Sequence, residues 1–308
     1  MKLIKINGVE FKIGIDKITI GLKYPNLPKK QLESPDEQAK KEIIEAQKKF
    51  FGEEMYLQQM IVSDNHDKHL MKNKTMRYII KDEDGNYCFE FHLGQIAGTR
   101  IINLQINPSK MSQSAKAELD GLLSVTFYNG YQEFYNRAVI SKLELYVDIL
   151  DVDISEYVLI DLGRRQKTDY ENTTYLGKRN SRLTMASYDK AKQLKMEATI
   201  HRYECRISNR NLYFKNYIEK EQKNPFMNFV LIAKQDLQLI ALKKGGPKFA
   251  AKLEDLGLYR ATANKFARES IKQELLNCRV SWWDVDIFWN TIIEELYLLK
   301  PNNFLTSC

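Results

Sequence analysis

Cysteine is scarce in this 308-residue chain, with only Cys88, Cys205, Cys278 and Cys308. They are widely scattered and no two form a C-x-x-C pair, so neither a cysteine-rich zinc site nor a disulfide framework is indicated, and a reducing cytoplasm is expected. Histidine is as rare: His66 and His69 stand three apart in a polar loop without a third ligand nearby, and His92 and His201 are single residues on strands. No His-hydrophobic-His segment is present, and no Walker loop, which argues against an intrinsic ATP motor. No apolar run approaches the roughly 20 residues that cross a bilayer. The first residues, MKLIKINGVEFKIGID, alternate apolar and charged side chains where a signal peptide would have an unbroken apolar core. A soluble, cytoplasmic protein with no membrane partner is the expectation.

What remains is an ordinary globular composition, 44% hydrophobic and 28% charged, which sets aside disorder, collagen and coiled coil. The length allows one large domain or two smaller ones. The net charge of +7 gives a moderately basic surface, compatible with nucleic acid but also with small acidic substrates.

The apolar spacing predicts an α+β fold: a mainly antiparallel β-sheet body with flanking helices over residues 1–224, then a helical C-terminal region over 225–308. Asn7-Gly8 between two alternating runs predicts a hairpin, because both residues tolerate the positive φ of a type I′ turn. Ser34-Pro35-Asp36-Glu37 carries the signals of a helix start. Strands are expected over 76–80 and 87–93, joined by a turn, and over 100–106. Leu119, Leu122, Leu123 and Phe127 mark helix between about 112 and 135. From Phe226 to Leu299 the apolar spacing is helical, interrupted at Gly245-Gly246-Pro247.

Three segments carry chemistry. In SKLELYVDIL (141–150), Leu143, Leu145, Val147 and Ile149 fall on one face of a strand, and Glu144, Tyr146 and Asp148 on the other. In TYLGKRNSRLTMASYDKAKQ (174–193), a cationic turn at Gly177 to Asn180 precedes a strand in which Thr184, Ala186 and Tyr188 share a face. In the strand from His201 to Ile207, Arg202, Glu204 and Arg206 share a face. Tyr188 beside Asp189 and Lys190, near a turn able to hold phosphate, is a candidate nucleophile toward DNA. It is equally describable as a half-buried sheet tyrosine, one of 17.

Glu144, Asp148 and Glu204 could offer oxygen ligands to Mg²⁺ or Mn²⁺. Glu144 and Asp148 are four strand residues apart, about 13 Å, so one of them would ligate and the other would orient a cation or water. The plain alternative is a cross-strand ladder in which Glu144, Arg202, Glu204 and Arg206 pair to stabilise the sheet. Lys178, Arg179, Arg182 and Lys190 are placed to neutralise a DNA backbone.

The order of these blocks resembles the Rep_trans-type rolling-circle replication initiators of plasmids and phages, whose relatives include conjugative relaxases. Ile106-Asn107-Pro108-Ser109-Lys110 is similar to a strand-ending N-P-x-K block, and Lys142 to Asp148 to the R-x-D-x-x-x-D strand. Tyr175 to Ser181 followed by Tyr188-Asp189-Lys190 resembles Y-x-G-x-R-x-S with Y-[DN]-K, and Arg202-Tyr203-Glu204 resembles R-x-E. Lys142 and Glu144 stand where the family usually has arginine and its first aspartate, and Gln193 where an acid is common. The resemblance spans about residues 100 to 207.

It implies a metal-dependent nickase that attacks one strand through Tyr188, assisted by Lys190, and keeps the 5′ phosphate as a phosphotyrosine. Glu144, Asp148 and Glu204 would serve the Mg²⁺ or Mn²⁺, and Lys178, Arg179, Ser181, Arg182 and Arg202 the DNA phosphates. The implied partners are double-stranded origin DNA with a hairpin, single-stranded DNA, a host helicase and a second copy in a homodimer. Origin binding is expected in the helical region, where Lys243, Lys244, Lys248, Lys252, Arg260, Lys265 and Arg268 concentrate, though solvated helix faces would read the same way. The other readings are a conjugative relaxase of the same chemistry and a non-catalytic DNA-binding replication regulator.

Overall fold

The computed structural model describes residues 2–23, 76–81, 87–96, 99–127, 129–178, 181–220 and 222–304. The helix expected from Ser34, the loop with His66 and His69, and Arg179 lie outside the described residues.

Strands β1 (Lys2–Ile6) and β2 (Val9–Lys23) form the expected hairpin, with Ile6 opposite Val9. Asn7 and Gly8 both have positive φ, 46° and 88°, as a type I′ turn demands. Strands β3 (Met76–Lys81), β4 (Tyr87–Ile96) and β5 (Thr99–Ile106) follow as an antiparallel meander, and β5 pairs with β2. The Pro108–Lys110 segment is a short 3₁₀ turn that ends this run.

Helix α1 (Gln113–Thr126) is capped by Ser112, whose Oγ accepts from the Ala115 amide at 3.2 Å, and α2 (Gly130–Arg137) packs beside it. The chain continues through β6 (Val139–Leu150), β7 (Tyr157–Asp161), β8 (Lys167–Tyr170), β9 (Thr173–Leu176), β10 (Leu183–Asp189), a short α3 (Lys190–Leu194) and β11 (Ile200–Tyr213). After α4 (Phe214–Glu219) come β12 (Phe229–Ala233) and helices α5 (Lys234–Lys244), α6 (Lys248–Ala261), α7 (Lys265–Asn277), α8 (Val285–Tyr297) and α9 (Pro301–Phe304). The fold is α+β, with a ten-stranded sheet in the order β3-β4-β5-β2-β6-β11-β10-β9-β8, β1 pairing with β2 off that path. Among the described residues no helix is long and apolar enough to cross a membrane.

The chain packs as two units. One comprises Met1–Gly14, Glu144–Ser208 and Gln222–Ile293, the other Ile15–Leu143, Asn209–Glu221 and Glu294–Cys308. Strands β2, β6 and β11 contribute residues to both, a sharing that a change in apolar spacing along the chain does not reveal.

The C-terminal region is also not purely helical. Phe229-Val230-Leu231-Ile232-Ala233 is β12, paired antiparallel with β7, with Ile232 opposite Val158. Five consecutive apolar residues suit a fully buried strand as well as a helix, and here the β-branched Val230 and Ile232 make a strand. This two-stranded sheet packs under α5, α6 and α7 around Ile160, Val230, Ile232, Leu253 and Leu275, all fully buried. In the same unit Trp283 meets Tyr203 and Phe288 edge-on at 5.0 and 5.1 Å. In the other unit Tyr131 donates to the Leu299 carbonyl at 2.9 Å and stacks on Phe304, while Glu295 accepts from the Ile15 amide at 3.0 Å.

Candidate active site

The three segments singled out in the sequence become β6, β10 and β11, and they belong to one unit over the residues that matter here. Period-2 alternation puts Glu144, Tyr146 and Asp148 on one face of β6, and Arg202, Glu204 and Arg206 on one face of β11. The β10–β11 register sets Tyr188 opposite Arg202, Ala186 opposite Glu204 and Thr184 opposite Arg206. On its other side β10 pairs with β9, setting Tyr188 opposite Thr173 and Ala186 opposite Tyr175.

Tyr188 is half-buried, and its hydroxyl donates to Glu204 Oε2 at 2.8 Å. The other oxygen, Oε1, accepts from Arg206 Nε at 2.6 Å. Glu204 is 4% exposed. Burial alone would raise its pKa and is the largest single influence; the Arg206 charge, the hydrogen bonds from Arg206 and Tyr188, and the Arg202 charge together outweigh it and hold the carboxyl below its usual range. The group facing the tyrosine hydroxyl is therefore an ionised carboxylate at neutral pH.

Arg202 Nε and Nη2 donate to the two oxygens of Asp148 at 2.5 and 2.7 Å, a bidentate pair, and the guanidinium lies 4.1 Å from the Tyr146 ring centroid. Arg206 also approaches Glu144, at 3.9 Å, and lies over Tyr175 at 5.7 Å. Lys190 Nζ is 5.8 Å from the Tyr188 ring and donates to Gln193 Oε1 at 2.7 Å.

Of the three carboxylates expected to serve a metal, Glu204 is the one seen to accept from the Tyr188 hydroxyl. Asp148 has both oxygens on Arg202, and Glu204 is shared between Arg206 and Tyr188. Among the described residues no group of three or more His, Cys, Asp or Glu comes together as a metal site. In this arrangement Asp148 and Glu204 face guanidiniums, where an oxygen cage for Mg²⁺ or Mn²⁺ would have them face the ion. The acidic face of β6 is also not a wet one: Glu144 and Asp148 are 6% and 5% exposed.

The residues expected to hold phosphate divide between two places. Arg202 belongs to the ladder around Tyr188. Lys178, Ser181 and Arg182 lie on the turn between β9 and β10. Gly177 opens that turn at φ +112°, and a Cβ there would stand 3.0 Å from the Leu183 carbonyl oxygen. The Ser181 hydroxyl is turned onto its own loop, within 2.8 Å of the Lys178 carbonyl, 2.9 Å of the Leu183 carbonyl and 3.0 Å of Thr184 Oγ1.

No family model and no curated protein matches this sequence. A solved structure of a rolling circle replication initiator protein from Geobacillus stearothermophilus is similar at 12% identity and a TM-score of 0.37, covering 88% of this chain and 99% of that one. A likeness of that size leaves the chemistry to the side chains themselves.

Two contributors were not among the expected site residues. Arg206 was legible, because the alternation Arg202, Glu204, Arg206 puts it on the same face. Tyr175 was named as the first residue of the Y-x-G-x-R-x-S block and given no role, and nothing local marks a ring that lies beneath a guanidinium two strands away. On the reverse face of the same strands, Ser187 Oγ lies 2.8 Å from His201 Nε2, and burial pushes His201 down to about 4. That histidine is neutral at physiological pH and serves the packing of the sheet.

Proposed function

We propose that this chain nicks and rejoins one strand of DNA through Tyr188, as a rolling-circle replication initiator does. The observation that carries the reading is the Tyr188 hydroxyl donating to the ionised Glu204 at 2.8 Å, flanked by Arg206 and Arg202. The order of the motif blocks from Ile106 to Glu204 supports it independently of that geometry.

Tyr188 Oη attacks the phosphorus while its proton passes to Glu204. The bond from phosphorus to the 3′ oxygen breaks, and that oxygen takes a proton from solvent and becomes the primer end. The 5′ phosphate stays on Tyr188. A carboxylate as acidic as Glu204 is a weak base toward a free phenol, so the transfer runs with bond formation to phosphorus and not ahead of it. Arg206 and Arg202 bring positive charge to the phosphate oxygens as they gain charge in the transition state. In joining, a 3′ hydroxyl attacks the phosphotyrosine, Tyr188 leaves and regains its proton, and no nucleotide cofactor is consumed.

No step is assigned to a divalent ion, because its expected ligands are engaged by arginine. The same reading carries a homodimer, a host helicase and recognition of an origin hairpin through the C-terminal helices. A conjugative relaxase would use identical chemistry on a transfer origin.

The test is nicking of supercoiled plasmid carrying the cognate origin. Tyr188→Phe should yield no open circle and no covalent protein–DNA adduct, while Glu204→Gln should slow nicking by about a hundredfold. Nicking by Tyr188→Phe at the parent rate would remove Tyr188 as nucleophile. The second reading, a non-catalytic DNA-binding regulator, is favoured by one observation: Asp148 with Arg202, and Glu204 with Arg206, already satisfy one another as a sheet ladder would. Under that reading the parent binds DNA but forms no adduct at all.

A further inference from the structure

Away from Tyr188, the same unit holds an open cleft of about 520 Å³ whose walls include Gly163, Arg164, Arg165, Lys178, Arg182 and Arg260. Among the described residues no carboxylate is part of the lining. Three chain segments build it: the turn after β7, the turn between β9 and β10, and the end of α6.

The turn after β7 is fixed from beneath. Asp161, 1% exposed, accepts from the Arg165 amide at 2.7 Å and from Arg165 Nη1 at 2.6 Å. A Cβ at residue 163 would fall 2.6 Å from that Nη1, so a side chain there would displace the guanidinium from its present place against Asp161. Gly257, at φ +68°, lets α6 come equally close: a Cβ there would stand 2.9 Å from the Asp161 carbonyl oxygen. That approach delivers Tyr259 and Arg260. Arg164 donates to the Tyr259 hydroxyl and lies 4.0 Å from its ring centroid, with Arg268 over the same ring at 3.6 Å. The turn after β9 is tied in through the Gly177 amide, which donates to the Gln166 carbonyl at 2.9 Å.

Arg165 is neutralised by Asp161. Among the described residues no carboxylate forms an ion pair with Arg164, Lys178, Arg182 or Arg260. Four cations held around one concavity repel one another, and a polyanion laid among them relieves that repulsion. Guanidinium and ammonium groups recognise phosphate and carry no base preference of their own.

Leu183, which also lines the cleft, begins β10, and Tyr188 lies five residues further along the same strand, about 17 Å away. Along the axis of a DNA duplex each strand advances about 3.4 Å per nucleotide, so that separation corresponds to about five nucleotides of duplex. A strand bound at Tyr188 and running along β10 therefore enters the cleft, which favours a polymer backbone over a free nucleotide as its occupant.

We propose that this cleft is a phosphate-backbone clamp, in which Arg164, Lys178, Arg182 and Arg260 grip the DNA strand about five nucleotides from the phosphate engaged at Tyr188. The clamp rests on the nicking site proposed above; its distance from Tyr188 makes the two separable.

Binding is measured by fluorescence anisotropy with a labelled single-stranded oligonucleotide of about 20 nucleotides, long enough to span both places. Arg164→Ala, Arg182→Ala and Arg260→Ala should each weaken binding about fivefold and lower the slope of log K against log salt by about 0.7. The triple variant should lose about a hundredfold. Lys234→Ala, a surface charge outside the cleft, should bind as the parent does, and an unchanged melting temperature for each variant separates lost contact from lost fold.

Parent-like binding by the triple variant overturns the clamp, whatever Tyr188 does. Release of the oligonucleotide by millimolar ATP or inorganic phosphate would assign the cleft to a small anion and overturn it too. If the triple variant loses binding and Tyr188→Phe still nicks, the clamp stands and the nucleophile assignment falls.

Discussion

Glu204 holds the candidate site together at the level of single residues. Its two oxygens serve opposite purposes: one takes the Tyr188 hydroxyl, and the other is tied to Arg206. Removing Arg206 leaves a carboxylate that is 4% exposed without its nearest counter-charge. Arg206→Ala should therefore cost about 3–5 kcal/mol in urea unfolding, since an uncompensated buried charge is heavily penalised. Combining it with Glu204→Gln should recover a large part of that loss. Tyr188→Phe removes one hydrogen bond to a charged group and should cost only about 1.5–3 kcal/mol. A parent-like stability for Arg206→Ala would mean that Glu204 is solvated in solution and that the ladder is weaker than its distances imply.

At the level of elements, the sheet shows what was legible and what was not. The alternation in 141–150, 183–189 and 201–207 was enough to group Glu144 with Asp148 and Arg202 with Glu204 and Arg206 on shared strand faces and to set Tyr188 off the apolar face of its strand, because side-chain direction in a strand depends only on parity. That the acidic face of β6 is buried was not legible. Charge pairing depends on register, and register is a relation between strands. Asp148 with Arg202 became visible only once β6 and β11 were side by side, whereas Glu204 and Arg206, two residues apart on β11, were already candidates for a ladder. β12 was missed for a related reason: a short apolar run has no period to read, and its strand character comes from its partner β7.

The pairing bears directly on metal binding. With both guanidiniums in place, millimolar Mn²⁺ should move the parent's melting temperature by less than about 1 °C, since no site is assembled to bind it. Arg206→Gln leaves Glu144 and Glu204 without their shared guanidinium, and Mn²⁺ should then stabilise that variant by several degrees. A large shift in the parent that Glu204→Gln abolishes would mean that an ion displaces Arg206, restoring the carboxylates to the metal role first expected of them.

For the molecule as a whole, β2, β6 and β11 each contribute to two packing units, and the unit that holds Tyr188 also holds its acid-sensitive groups. His201 is pushed down by burial to about 4, against an ordinary value near 6.5. Because the unfolded chain takes up that proton first, the stability tied to His201 is complete above about pH 6.5 and is lost as pH falls toward 4, on the order of 3 kcal/mol in all. Glu204, held below the usual carboxylate range, contributes stability above the ordinary glutamate pKa that is lost as pH falls through its lower folded value. The two losses have the same sign and adjoining windows. Hydrogen exchange between pH 7 and pH 5 should therefore show protection falling in β10 and β11 over Leu183–Ser208, with His201→Gln flattening the fall. Equal loss of protection in α1 and α2, which carry neither group, would place the acid sensitivity elsewhere.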